Sequence, residues 1–208
     1  MFPVICQIGA FKIYYYYAAI IISDVVCITL FFLDAKRTGL PSQKILSVIF
    51  WPFAAGTLGL RLSYVFSNWK YFGQHLNEIG RISDGGLLWY GAFVFVFVTG
   101  FVIARIERLS FWKLADLVAP YLALNQAIAR FGCYLNGCCF GKEMIWGVYV
   151  PLYGKILLPR QLYLIAGHLI IFCLLKKVQP KGKFSGQIFI LFLVFDTLLK
   201  FAVDSFSR

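Results

Sequence analysis

The sequence predicts an all-α integral membrane protein. The expected form is a polytopic bundle of about six transmembrane helices, with short amphipathic helices in its outer loops, making one membrane domain over residues 1–208. Three observations carry this. The chain is 61% hydrophobic and 14% charged, with a mean hydropathy of +0.78; soluble domains run at about 45–50% apolar and about 25% charged. The apolar residues fall into six runs of helix-spanning character. The lysines and arginines sit in the short segments between those runs.

The first run is Ile13–Leu33. It opens on Tyr14-Tyr15-Tyr16-Tyr17, the type of residue that anchors a span at the lipid–water interface, and it carries Asp24 at membrane depth. No charged n-region or A-x-A-like site precedes it, so it is expected to be retained rather than cleaved. The second run, Ile45–Phe66, contains Pro52, Gly56, Gly59 and Arg61. The third, Gly86–Ala104, is rich in Phe and Val. The fourth, Leu114–Ala129, is more polar, with Asp116, Pro120, Asn125 and Gln126. The fifth is Gln161–Leu175. The sixth is Gly186–Val203, with Asp196 and Lys200 spaced so that they can pair.

Half of the chain's 20 lysines and arginines crowd three loops: Lys36, Arg37 and Lys44; Arg105, Arg108 and Lys113; Lys176, Lys177, Lys181 and Lys183. By the positive-inside rule these loops are cytoplasmic and both termini lie outside. The net charge of +11 therefore speaks for orientation and anionic lipid, and nucleic acid is not an expected partner. The remaining cations, Arg81, Arg130 and Arg160 among them, fall on the outer side, where topology does not require them. Two outer segments, 67–85 and 130–160, exceed the usual loop length and are studded with Trp, Tyr and Phe.

The most informative stretch is Arg130-Phe-Gly132-Cys133-Tyr-Leu-Asn136-Gly137-Cys138-Cys139-Phe-Gly141-Lys142. Glycines permit turns and close backbone approach, and Arg130 and Asn136 offer donors suited to a phosphate. A glycine-rich membrane turn with Arg130 snorkelling to the interface is the plainer reading. The spacing C-x4-C-C is not a standard zinc pattern and the chain's histidines are His75 and His168, so no metal or cofactor is expected. A disulfide from Cys133 to one of the pair stays open.

Arg81-Ile-Ser-Asp84-Gly-Gly-Leu-Leu-Trp-Tyr90 reads as a turn capped by Asp84 at the start of a helix. It lies on the same predicted side as Arg130. Arg61, costly inside a span, is expected to meet an acid or a phosphate. Arg160 and Gln161, just after Pro159, open the fifth span and can donate to a ligand. Asp196 and Lys200 read as a buried ion pair, with Asp24 a further candidate partner.

In this order the motifs resemble the bacterial prolipoprotein diacylglyceryl transferase family over nearly the whole chain. Ile8-Gly9 and the Tyr-rich segment place Tyr16 on a functional tyrosine of the family. Gly59-Leu-Arg61-Leu-Ser-Tyr64, Asp84-Gly-Gly86 and Leu114-Ala-Asp116-Leu-Val-Ala-Pro120 follow. Arg130 to Gly141 falls on the family signature, and Pro159-Arg-Gln161-Leu-Tyr163 on a Pro-Ser-Gln-Leu-Tyr motif. The chain departs from the pattern at several points. Ala129 replaces a glycine. Cys133 stands at an asparagine, Cys138 at a glutamate, and Tyr90 at a histidine. Asp196 falls at an arginine and Lys200 at a glutamate. Relatives often carry a seventh span.

The resemblance implies a transferase of the bacterial inner membrane. It would move the diacylglyceryl unit of phosphatidylglycerol to the lipobox cysteine of a prolipoprotein signal peptide, releasing glycerol phosphate. Arg130, Asn136, Tyr16, Tyr90 and Asp84 would be the catalytic residues. Arg61, Arg81, Gly132, Cys133, Gly137, Gly141, Arg160 and Gln161 would line the substrate site, with phosphate charge met by Arg130 and by backbone amides near Gly132 and Gly137. The general base is the weak point, because a phenol, with a reference pKa of about 10, replaces an imidazole at about 6.5. A paralogue with another donor or acceptor, a non-catalytic lipid-binding protein on the same fold, and a transporter built on Asp24, Asp196 and Lys200 are the competing readings.

Overall fold

In a computed structural model, residues 4–8, 11–80 and 89–207 are described, and most of them are helical. In chain order the elements are β1 (Val4–Ile8), β2 (Phe11–Tyr14), α1 (Tyr15–Arg37), α2 (Ser42–Ser67), the short α3 (Trp69–Phe72), α4 (Trp89–Ile106), α5 (Phe111–Asn136), β3 (Glu143–Val150), β4 (Lys155–Leu157), α6 (Arg160–Val178) and α7 (Gln187–Ser207). Among the described residues, α1, α2 and the α6 segment are long and apolar enough to cross a membrane, and Tyr90–Ile106 is a shorter apolar helix. Large apolar side chains cover their outer faces: Ile21, Phe50, Leu58, Phe93 and Ile170 are all more than half exposed. Exposed apolar surface on this scale is what a lipid-facing helix presents.

The residues divide into two compact units. One comprises residues 35–114 and the other residues 1–34 with 115–208.

In the first unit, α2 packs on α4 through glycine. A Cβ at Gly59 would sit 2.7 Å from the Gly91 carbonyl oxygen, and one at Gly56 would sit 2.7 Å from Val96 Cγ2. Small residues at a helix crossing let two backbones approach, which is how helices associate where no hydrophobic effect helps them. The Lys44 ammonium closes the far end by donating to the Glu107 carbonyl at 2.6 Å.

The second unit is built on α1, α5, α6 and α7. Its core is Ala119 and Ala123 of α5, Ile171 and Leu175 of α6, and Ile188 and Phe192 of α7. Alanines on α5 make room for the larger side chains of its neighbours. Polar side chains then fix the arrangement. Asp116 accepts the amides of Gly186 (2.6 Å) and Phe189 (3.0 Å), capping the α7 N-terminus from another helix. Asn125 donates to Asp24 at 2.8 Å, and Ser23 to the Asn125 carbonyl at 3.1 Å, tying α1 to α5. Lys176 and Tyr121 both donate to Asp34.

Three expectations are corrected here. The stretch from Arg130 to Asn136 is not a loop but the last two turns of α5. The outer segment after it does not form an amphipathic helix. It forms an antiparallel hairpin, β3 with β4, turning at Tyr153-Gly154. Met144-Ile-Trp-Gly-Val-Tyr-Val150 is β-branched and aromatic, bounded by Pro151 and Gly154, and favours a strand. Asp24 is held by Asn125 rather than by Lys200. The expected Asp196–Lys200 pair is present at 2.8 Å, joined by His168, whose Nε2 lies 3.0 Å from Asp196.

Candidate functional site

The end of α5 is closed by a Schellman motif. Gly137 takes φ +77°, its amide donates to the Tyr134 carbonyl, and the Cys138 amide donates to the Cys133 carbonyl, each at 3.2 Å. Only glycine adopts this left-handed turn without cost, so Gly137 is what stops the helix. The motif lays the second residue past the cap against the third from the helix end. Here those residues are Cys138 and Cys133. Cys139 follows, also left-handed at φ +67°. The three thiol sulfurs lie within 4.8 Å of one another, with Cys133 buried and Cys139 exposed, and none is in a disulfide.

The same cap corrects an expectation. The amides of Gly137 and Cys138 are spent on α5 carbonyls and do not point at an anion. The end of a helix also carries the negative end of its dipole. What remains of the predicted site near this cap is its polar side chains, Arg130, Asn136, Arg160 and Gln161.

Those side chains are gathered around the cap. The Arg130 guanidinium is half-buried, makes no hydrogen bond or ion pair among the described residues, and lies within electrostatic reach of Tyr16, Cys133 and Cys139. Gly132 is the point where α5 meets α1: a Cβ there would collide with Ala19 and lie 3.5 Å from the Tyr16 carbonyl oxygen. Gly132 therefore brings Tyr16 to the cluster. Gly141 does the same on the other side, since a Cβ would meet Ser207 Cβ at 3.0 Å and Leu158 Cβ at 3.2 Å.

From α6, the fully buried Gln161 donates through Nε2 to the Cys138 carbonyl, which leaves its Oε1 aimed at nothing. Among the described residues, Asn136 Oδ1 and Arg160 Nε are likewise buried without hydrogen-bond partners. Buried polar atoms are nearly always paired, so these atoms make the α5 cap the candidate site. Arg160 also forms an ion pair with Asp204 of α7, a residue that sequence reasoning passed over. Crowding by surrounding protein raises the Cys139 thiol pKa, and the Cys138 sulfur adds to this, while Arg130 and Arg160 pull it back down. Beside the hairpin, Trp146, Leu158, Tyr163, Ala202, Val203 and Phe206 line an apolar cavity of about 280 Å³.

The remaining predicted residues belong to the other unit or fall outside the described residues. Arg61 is buried and donates to the carbonyls of Ile79 and Glu78, each at 2.8 Å, so it holds the segment after α3. Tyr90 is exposed, its hydroxyl 3.0 Å from Ser67 Oγ. Arg81 and Asp84 lie outside the described residues. His168, buried completely between Leu164 and Asp196, was missed; its signal was its register, one helical repeat from the apolar core positions of α6.

Apolar helices long enough to cross a membrane, with polar side chains gathered at the end of α5, mark a membrane protein. The chain belongs to the prolipoprotein diacylglyceryl transferase family, whose sequence pattern matches residues 3–208. It is 28% identical over 214 residues to the phosphatidylglycerol–prolipoprotein diacylglyceryl transferase of Listeria innocua, covering 97% of this chain and 77% of that protein. Against the enzyme of the same name from Geobacillus kaustophilus it is 30% identical over 215 residues, covering 97% and 79%. Against that of Finegoldia magna it is 32% identical over 173 residues, covering 82% and 69%.

Proposed function

We propose that this protein is a membrane transferase that moves the diacylglyceryl unit of phosphatidylglycerol onto the cysteine thiol of a prolipoprotein. The observation that carries this reading is the gathering of Arg130, Tyr16, Asn136, Arg160 and Gln161 around the α5 cap, with three of their polar atoms left over. Family membership supplies the reaction.

The chemistry is displacement at a glycerol carbon by sulfur. Charge grows on the departing phosphate, and Arg130, with no other partner among the described residues, is placed to meet it. Arg160, in the first turn of α6, adds charge at the helix end whose dipole favours an anion. Gln161 Oε1 and Asn136 Oδ1 are acceptors suited to the hydroxyls of a glycerol head group. Tyr16 orients the bound group. Gly132, Gly137 and Gly141 shape the site, and Cys133 lines it.

The membrane arrangement that goes with this reading has six spans, α1, α2, α4, α5, α6 and α7, in one integral domain of the bacterial inner membrane. The Lys- and Arg-rich loops after α1, α4 and α6 face the cytoplasm and the N-terminus lies outside.

Purified protein incubated with labelled phosphatidylglycerol and a peptide carrying a lipobox cysteine is expected to yield the labelled thioether. Absence of product from folded protein that still binds the lipid would instead favour a lipid-binding protein on the same fold. The replaced family positions Tyr90, Cys133, Cys138 and Asp196 motivate that second reading.

A further inference from the structure

We propose that Cys133, Cys138 and Cys139 form a three-thiolate site for a zinc ion, whose open fourth position takes the acceptor cysteine thiol as a thiolate. The metal site stands on geometry alone. The role of its fourth position rests on the transferase reading above.

The thiols are brought together by the backbone. A helix ending in a Schellman motif sets its C-terminal third residue against the second residue past the cap, so the spacing C-x4-C, unremarkable in a sequence, becomes a sulfur pair. Cys139 completes the set in a left-handed conformation, φ +67°, that a non-glycine residue seldom adopts. The sulfurs lie within 4.8 Å of one another. Around zinc, with bonds of about 2.3 Å, they would lie roughly 3.8 Å apart, a contraction within the reach of side-chain rotation.

Polarity agrees. The C-terminal end of α5 favours a cation. Three thiolates and one zinc leave a single negative charge, and the charges of Arg130 and Arg160 both act at Cys139. One edge is open, since Cys139 is exposed while Cys133 is buried. Three protein ligands with a free position describe a zinc site that does chemistry rather than one that only holds a fold.

The reaction needs such a group. Its nucleophile is the acceptor's thiolate. A thiol that coordinates zinc is deprotonated outright. The sulfur lone pair then forms the S–C bond to the glyceryl carbon. The C–O bond to phosphate breaks, and its electron pair leaves with the oxygen. That oxygen ends with the proton the thiol gave up. Thiol and phosphodiester become thioether and phosphomonoester, with no change of oxidation state.

The test uses reduced, metal-stripped, full-length protein in phosphatidylglycerol nanodiscs, titrated with Co(II). One equivalent is expected to give thiolate-to-cobalt charge transfer and tetrahedral d–d bands, both displaced by Zn(II). Cys139→Ser, at the exposed and structurally tolerant position, should weaken binding by about 100-fold or more, at the top of the roughly 10–100-fold that loss of a supporting residue costs. Replacing all three cysteines by serine should abolish it, and Cys27→Ser with Cys173→Ser should leave it unchanged. A lipobox peptide with a free cysteine should shift the d–d bands, and its serine analogue should not. Absence of stoichiometric bands, or bands that survive the triple substitution, would overturn the metal site. A cysteine peptide that leaves the bands unmoved would overturn the role of the fourth position. Protein that ligates the peptide yet forms no thioether supports both halves of the metal proposal and counts against the transferase reading alone.

Discussion

Midway along α6 and α7, His168, Asp196 and Lys200 bond to one another; at the α5 cap, Arg130, Asn136, Arg160 and Gln161 leave polar atoms without partners among the described residues. His168 faces an acceptor at each ring nitrogen, the Leu164 carbonyl at 2.6 Å and Asp196 at 3.0 Å, and the second Asp196 oxygen takes Lys200. Both clusters sit in hydrophobic surroundings and both would be flagged by a search for charge in a membrane protein. Partner accounting separates them. Asp196 spends both oxygens and His168 both ring nitrogens within the cluster, a closed circuit that ties α6 to α7. An open one costs stability that only a bound group returns.

The contrast sharpens into measurements. Arg130→Ala should produce the largest effect, a loss of about 10²–10³ in transfer rate, as expected on removing one donor from developing negative charge. Helix content and thermal unfolding should stay close to the parent, because Arg130 makes no hydrogen bond or ion pair among the described residues. A variant that unfolds instead would place Arg130 with the closed circuit. Asp196→Ala should do the reverse. It strands His168 and Lys200 and should cost about 3 kcal/mol in reversible unfolding from detergent. Replacing all three members by apolar residues of similar size should recover most of that. If the triple replacement keeps stability but loses transfer, the circuit is not merely structural.

Smaller effects probe how the open site is assembled. Gly132→Val forces a side chain into Ala19 and should cost about 1–3 kcal/mol by overpacking. Ala19→Gly should partly rescue it, and both stability and transfer should respond if the approach of α1 is what delivers Tyr16. Gly137→Ala should be mildest, about 1–2 kcal/mol for a left-handed Cβ, measured by thermal unfolding. An unchanged midpoint would mean the cap is not under conformational constraint.

How much of this could be read from residues alone depended on range. The helices announce themselves through apolar runs and lie within a few residues of expectation, apart from α5, whose glycine-containing end reads as a loop although Gly132 serves close packing and only Gly137 ends the helix. Asp196 and Lys200 were legible because i, i+4 pairing is local. Their third member, His168, is 28 residues away in sequence and becomes a partner only through helix packing. Arg61 is expected at an acid or a phosphate; its carbonyl partners come from the end of a single 3-10 turn, Leu76–Glu78, and from Ile79, which no apolar periodicity marks. The β3–β4 hairpin had a local signal in its β-branched residues and its Pro151 to Gly154 turn, hidden by the aromatic content that also suits a membrane surface.

The capping geometry at the end of α5 has a wider consequence. Positions 133 and 138, where the family resemblance puts asparagine and glutamate, are juxtaposed by main-chain hydrogen bonds and one left-handed glycine, whatever side chains they carry. The helix terminus thus behaves as an interchangeable socket. Exchanging the side chains at those positions is expected to change the chemistry offered there while the cap, whose hydrogen bonds are main-chain, is kept.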